Sequence, residues 1–237
     1  MRLTELLRFE LAGAGFIEAL TFGLCAEREA FDYLKRKNDG NQVVKMANPM
    51  DENNEIVRPA LLPGLLKTIA CNREVGVSRG LRLFEVSDIC CLDSTTDTGA
   101  RNERHACVVY TGPTAGLEII HGVVDRLFEL LNVRPESVTE RQSMTRGEIK
   151  ESQANSSEKK SSAETDPIQR YILEEMTSDT YFPQRSANIL IDSGDGKPPI
   201  KIGEMGVLHP EVLTAFGLGY PVSCVEIDLE MFVNMTD

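Results

Sequence analysis

Three histidines, six cysteines and a few arginines beside proline-rich corners are the side chains that could carry chemistry in this 237-residue chain. His105, His121 and His209 are far apart in sequence, and none belongs to an HExxH zinc helix. No serine or cysteine stands in a nucleophile elbow, and there is no phosphate-binding P-loop. The histidines therefore read as solvated or locally hydrogen-bonded side chains. Cys25, Cys71, Cys90, Cys91, Cys107 and Cys224 form no CxxC pair. The adjacent Cys90 and Cys91 would point to opposite faces of a strand, so they do not readily share a ligand set. All six read as buried thiols acting as small hydrophobes. The glycines at 194–196 and 217–219 lack the strand–turn–helix setting of a phosphate cradle and read as plain turns. No catalytic, cofactor-binding or metal-binding residue is expected in this chain.

A more structured cluster runs from Tyr181-Phe182-Pro183-Gln184-Arg185-Ser186-Ala187 through a hairpin to Ile202-Gly203-Glu204-Met205-Gly206-Val207-Leu208-His209-Pro210. Gly203 and Gly206 permit close backbone approach, and Pro210 suits the start of a helix. These residues predict a strand–turn–helix corner without assigning a substrate. Arg185 could pair with one of the many carboxylates nearby, and Arg58 either forms part of an interface or stabilises a loop, the structural reading being favoured.

The elements that must position these groups follow from periodicity. Leu3, Leu6, Leu7, Leu11 and Ala14 share one face of a helix over residues 2–14. A strand is expected from Phe16 to Cys25, with Thr21 and Phe22 at its centre, then a polar helix from Glu27 to Lys37 and a strand from Gln42 to Ala47. After the acidic loop Asp51 to Glu55, Leu62, Leu65, Leu66 and Ile69 line a helix with Pro63 in its first turn. Leu81 to Leu92 and His105 to Thr111 read as strands joined by a polar loop from Asp93 to Glu103. Leu117, Ile120, Val124, Leu127 and Leu131 repeat at three and four, the best amphipathic helix in the chain. Ala187 to Asp192, Ile200 to Val207 and Val222 to Leu229 read as strands, with a short helix from Pro210 to Phe216. Strands joined by hairpins, with helices gathered separately, predict an α+β fold: an antiparallel sheet with helices on one side.

Between about 136 and 170 the pattern disappears. The Ser-, Glu- and Lys-rich run there holds too little apolar surface to offset the entropy of ordering it, so it is expected to be a flexible insertion in a single domain spanning 1–237. The composition, 41% hydrophobic and 26% charged, is that of an ordinary globular protein. A net charge of −12 argues against a nucleic-acid clamp. From Ser186 onward two lysines face eight acids and there is no arginine. No apolar run approaches a membrane span, and Glu5 and Glu10 interrupt the leucines of Met1 to Gly15, unlike a targeting segment. A cytoplasmic location is expected.

Several ordered motifs resemble one family. Leu3 to Phe22, ending in Gly15-Phe16-Ile17-Glu18-Ala19-Leu20-Thr21-Phe22, is similar to the start of the synthetase-like domain of phenylalanyl-tRNA synthetase β subunits. So are Asn48-Pro49-Met50-Asp51, Val57-Arg58-Pro59-Ala60-Leu61-Leu62-Pro63-Gly64-Leu65-Leu66-Lys67, Leu83-Phe84-Glu85-Val86-Ser87-Asp88 and the corner from Phe182 to Pro210. Gly99 to His105 and Gly116 to Val133 resemble the eukaryotic and archaeal branch. The resemblance implies a class II aminoacyl-tRNA synthetase-like fold acting as a non-catalytic structural and assembly domain. It implies a catalytic α subunit as partner in an α2β2 heterotetramer, with tRNA-Phe held mainly by other parts of the holoenzyme. ATP and magnesium would bind there too, and no cofactor in this chain.

A working class II ligase places one arginine just after a strand phenylalanine and another near its C-terminus, where cations meet the charge that develops on phosphate. Here Glu85 follows Phe84, and no arginine follows Arg185. The face of Leu3, Leu6, Leu7 and Leu11 is the candidate α-subunit interface, its alternative being burial in the domain's own core. Two other readings are a free-standing regulatory or scaffolding paralogue and an independent amino-acid-adenylating enzyme. The arginine-free C-terminal quarter opposes the second.

Overall fold

The computed structural model describes residues 2–40, 43–49, 51–74, 80–136, 169–194 and 197–233. Helix α1 (Arg2–Gly13) buries Leu3, Leu7 and Leu11, a stripe repeating every four residues. The chain then turns through Gly15 at φ 85°, where a side chain would be strained.

The strand expected from Phe16 to Cys25 is two short pieces in different sheets. Strand β1 (Ile17–Glu18) joins the main sheet, and β2 (Leu24–Cys25) pairs with β3 (Ile56–Val57) in a small one. Thr21 and Phe22 lie between them, outside any strand. The reason is polar: the Thr21 hydroxyl and N–H both donate to the Glu85 carboxylate instead of to a strand neighbour. Helix α2 (Glu27–Ala30) is one turn long, not the three expected up to Lys37, and Lys35 adopts φ 56° beyond it. The expected strand from Gln42 to Ala47 begins at a residue outside those described, and the rest contributes a single bridge, Lys45 to Ile56. A 3-10 turn (Glu52–Asn54) precedes β3. Helix α3 (Leu62–Cys71) follows with Pro63 in its first turn, as expected.

Among the described residues the main sheet has eight strands, in the order β1-β4-β5-β10-β9-β8-β7-β6. These are β4 (Leu81–Leu92), β5 (Ala100–Thr111), β6 (Arg134–Pro135), β7 (Arg170–Glu175), β8 (Tyr181–Asp192), β9 (Ile200–Leu208) and β10 (Val222–Asp228). Pairing is antiparallel except for β1 with β4 and β6 with β7. Strand β5 starts at Ala100, so His105 lies in mid-strand and the β4–β5 loop is shorter than expected. Most of the expected insertion, residues 137–168, lies outside the described residues. Its flanks form the β6–β7 pair, with Arg134 opposite Arg170.

Strand β8 starts six residues earlier than expected. It advances five residues, Tyr181 to Ser186, while β9 advances two, Leu208 to Gly206. That bulge, with Gln184 at φ 61°, is the corner read from sequence. At Gly206 an added Cβ would sit 2.8 Å from the Arg185 carbonyl oxygen, so a close approach does require glycine.

Helices cover both faces of the sheet, not one. Helix α1, α4 (Leu117–Leu130) and α6 (Glu230–Val233) pack on the face presenting Phe84, Val86, Val108 and Val225. Helix α3 and α5 (Pro210–Ala215) pack on the opposite face, over Leu83, Cys107, Val109 and Cys224. The fold is α+β, with a large, mostly antiparallel sheet flanked by helices.

Candidate functional site

Strands alternate their side chains, so Leu83, Glu85 and Ser87 share the α3 face of β4. Glu85 is 1% exposed. Its Oε1 accepts from Arg58 Nη1 at 2.7 Å, and its Oε2 from the Thr21 hydroxyl at 2.7 Å. Arg58, also buried, donates through Nη2 to Ser87 Oγ at 2.7 Å and through Nε to the Asp88 carbonyl at 3.0 Å. The guanidinium thus closes onto the sheet, which bears out its structural role. The negative charge of Glu85 is neutralised from within the fold.

Further across the same face, Glu226 in β10 accepts the N–H groups of Leu61 and Leu62 at 2.9 and 3.1 Å. These donors stand at the start of α3, where helical N–H groups have no partner within the helix and the dipole favours an anion. The same carboxylate lies 3.2 Å from His105 Nδ1. Burial works to raise the Glu226 pKa, but the hydrogen bond and charge of His105 and the Leu61 N–H hold it below the usual carboxylate value. Burial likewise works to lower His105, and the Glu226 hydrogen bond with the charges of Glu226, Asp228 and Glu103 hold it above its ordinary value. These contacts fix α3 to the sheet and fill the middle of this face.

The other candidate residues resolve plainly. His209 Nδ1 accepts from the Glu211 N–H at 3.3 Å and caps α5, while His121 is exposed beside Asp125. Cys25, Cys107 and Cys224 are buried, and burial pushes the first up to about 11 and the last to about 12. Cys90 and Cys91 are half-buried and Cys71 is exposed at the end of α3, so not all six are core thiols. Arg185 is exposed and makes no ion pair with a described residue, contrary to expectation. It lines a cavity of about 540 Å³ with Phe182, Leu208 and Tyr220.

The four leucines of α1 separate. Leu3, Leu7 and Leu11 are in the domain's own core, leaving only Leu6 of the candidate interface at the surface, 42% exposed. Other apolar side chains lie open instead: Phe9 at 74%, Leu20 at 81%, Phe22 at 87%, and Ile17. They belong to α1, the edge strand β1 and the segment leading to β2. Arg8 ties α1 to β1, with Nε 2.7 Å from Glu18 Oε1. Leu20 and Phe22 rim a cavity of about 280 Å³ whose far side is Ala60, Pro63 and Thr68. They flank the β1 edge of the sheet from its two faces, and exposed apolar groups of this size are candidates for a docking surface. The sequence signal for them was weak, since each sits off the leucine stripe or in a segment that reads as a buried strand.

The chain matches, over residues 1–229, the family described as the phenylalanyl tRNA synthetase beta chain CLM domain. It is 40% identical over 232 residues to the phenylalanine–tRNA ligase beta subunit of Mus musculus, covering 98% of this chain and 33% of that protein. Identity to the Homo sapiens beta subunit is 39% and to that of Drosophila melanogaster 40%, with the same coverage. The chain therefore spans about a third of the length of these curated relatives. With the match covering nearly every described element, this chain belongs to the phenylalanyl-tRNA synthetase beta chain CLM domain family.

Proposed function

We propose that this chain is the non-catalytic assembly domain of a phenylalanine–tRNA ligase β subunit, built on a class II synthetase-like fold. The observation that carries this reading is the closed Arg58–Glu85 pair, which occupies the sheet position where adenylate chemistry would require a free arginine. ATP, magnesium and phenylalanine then act on the α subunit, and this domain serves charging of tRNA-Phe by holding that subunit in an α2β2 assembly. The tRNA is held mainly by other parts of the holoenzyme, in keeping with the net charge of −12.

The surface for the α subunit is the apolar edge of Leu6, Phe9, Ile17, Leu20 and Phe22, not the buried leucines of α1. A cytoplasmic location fits the absence, among the described residues, of a helix long and apolar enough to cross a membrane. A relative from Arabidopsis thaliana is named as cytoplasmic.

The test is twofold. The purified chain is expected to support no phenylalanine-dependent ATP–pyrophosphate exchange and to co-purify with a phenylalanine–tRNA ligase α subunit. Clear exchange by the chain alone overturns the non-catalytic reading, and failure to hold the α subunit overturns the assembly reading.

A further inference from the structure

At the end of the α3 face, three potential metal ligands converge from two neighbouring strands. His105 on β5 is directly opposite Asp228 on β10, and Glu103 lies two residues before His105, on the same face. Each of the three offers a ligand atom within 4.8 Å of the others. We propose that Glu103, His105 and Asp228 bind one zinc-class divalent cation, with Glu226 as the carboxylate that orients the imidazole.

The orientation of His105 carries the assignment beyond mere proximity. Glu226 Oε1 lies 3.2 Å from Nδ1, so the carboxylate holds that side of the ring, and a metal at Nε2 would displace the proton there. Metal-bound histidines are arranged this way, the far nitrogen donating to a carboxylate that fixes the ring and raises its basicity. Nε2 in turn lies 3.9 Å from Glu103 Oε2, too far for a hydrogen bond. Two zinc–ligand bonds of about 2.1 Å place their ligand atoms about 3.4 Å apart in a tetrahedral site, so the His105–Glu103 pair would close by about 0.5 Å and the pairs with Asp228 from within 4.8 Å. One imidazole and two carboxylates suit zinc, whereas magnesium and calcium prefer oxygen ligands alone.

The neighbours are compatible with an ion. Arg101 pairs with Glu103 through the other carboxylate oxygen, Oε1, and its side chain is largely exposed. The Cys91 thiol donates to Glu103 Oε2 at 3.5 Å, a competing ligand that a cobalt spectrum distinguishes by its sulfur charge transfer. Asp228 Oδ1 accepts the Glu230 N–H at 2.9 Å and so is already oriented. Three protein ligands leave the fourth position to water. The ion would clip β5 to β10 beside the carboxylate that caps α3.

The experiment titrates the tag-free, metal-stripped 237-residue chain with zinc and with magnesium, read by calorimetry. One equivalent of zinc is expected to bind, with no magnesium binding at the same concentrations. His105→Gln and Asp228→Asn should each weaken zinc by about 100-fold or more. Glu226→Gln should keep the stoichiometry and lose about 10- to 100-fold in affinity, as for other residues that orient a metal ligand. Cobalt added to the unaltered chain gives a readout that no folding defect can mimic. Visible d–d bands without sulfur charge transfer support the site, whereas sulfur charge transfer places the ion on a thiol and overturns it. No zinc binding, or zinc affinity unchanged in His105→Gln, also overturns it.

Discussion

The α3 face of the sheet and the α1–β1 edge solve opposite problems. On the α3 face, charged groups that could have done chemistry are turned inward: Arg58 on Glu85, and Glu226 on the N–H groups of Leu61 and Leu62. At the edge, apolar groups that could have joined the core are turned outward: Phe9, Leu20 and Phe22. The first region has used its polar groups on itself, and the second has left its apolar groups for something else. Under the proposed reading, these two features together are what make the domain a scaffold.

The sharpest break in this comparison comes from the buried pair. Glu85→Ala leaves Arg58 buried beside Thr21 and Ser87 without a carboxylate. We expect a loss of about 3–5 kcal/mol, the usual range when one partner of a buried pair is removed, measured by urea unfolding. Glu85→Arg supplies the cation that the proposed synthetase-like reading finds missing but sets two cations together. It should destabilise the domain at least as much and yield no ATP–pyrophosphate exchange. If Glu85→Arg were stable and active, the face would be an impaired active site and not a scaffold.

Helix α1 holds the same comparison within one turn. Leu7→Ala opens a cavity under the helix and should cost about 2–5 kcal/mol. Leu6→Ala, one residue away on the surface, should stay within about 0.5 kcal/mol. Equal costs in urea unfolding would mean that Leu6 is also buried, and the division of the leucine face would fail.

How much of this was legible beforehand depends on the range of the interaction. The α1 stripe of Leu3, Leu7 and Leu11, helices α3 and α4, and strands β4 and β10 are local patterns, and periodicity revealed them. The charge reversal at Glu85 could be read too, but only through the family resemblance. Its partner could not, because Arg58 is 27 positions away, and Leu61 lies 165 positions from Glu226. Periodicity contains no term for such pairings. The error over Phe16 to Cys25 has the same origin: β-forming residues gave way to a threonine held by a distant carboxylate. Strand β7 follows a long polar run and has only Tyr171, Ile172 and Leu173 to announce it. The leucine face was correctly seen as apolar, yet which part met the core depended on where the sheet lay.

The pair formed by Glu226 and His105 gives a smaller, pH-dependent effect. Glu226 is held below its ordinary value, so its contribution is present above the unfolded value of about 4.5 and fades as pH falls through the lower folded value. His105 is held above 6.5, so its contribution is complete below that value and fades as pH rises through the higher folded one. The two overlap most between about pH 4.5 and 6.5. The difference in urea midpoint between the unaltered chain and Glu226→Gln, measured in chelator-containing buffer, should be largest in that window and shrink on both sides. A flat difference would mean that the two groups are not coupled.

The edge should show the smallest effect on stability and a clear one on assembly. Phe22 is almost fully exposed and Leu20 nearly so, hence Phe22→Ser and Leu20→Ser should each change unfolding free energy by no more than about 0.5 kcal/mol. If these side chains are anchors for the α subunit, each loss should weaken its binding by about tenfold or more, the effect of about 1.4 kcal/mol. Surface plasmon resonance with immobilised α subunit separates the two quantities. Weaker binding at unchanged stability assigns the edge to the partner. Unchanged binding moves the interface elsewhere on the domain while leaving the closed Arg58–Glu85 pair, and the non-catalytic reading proposed from it, untouched.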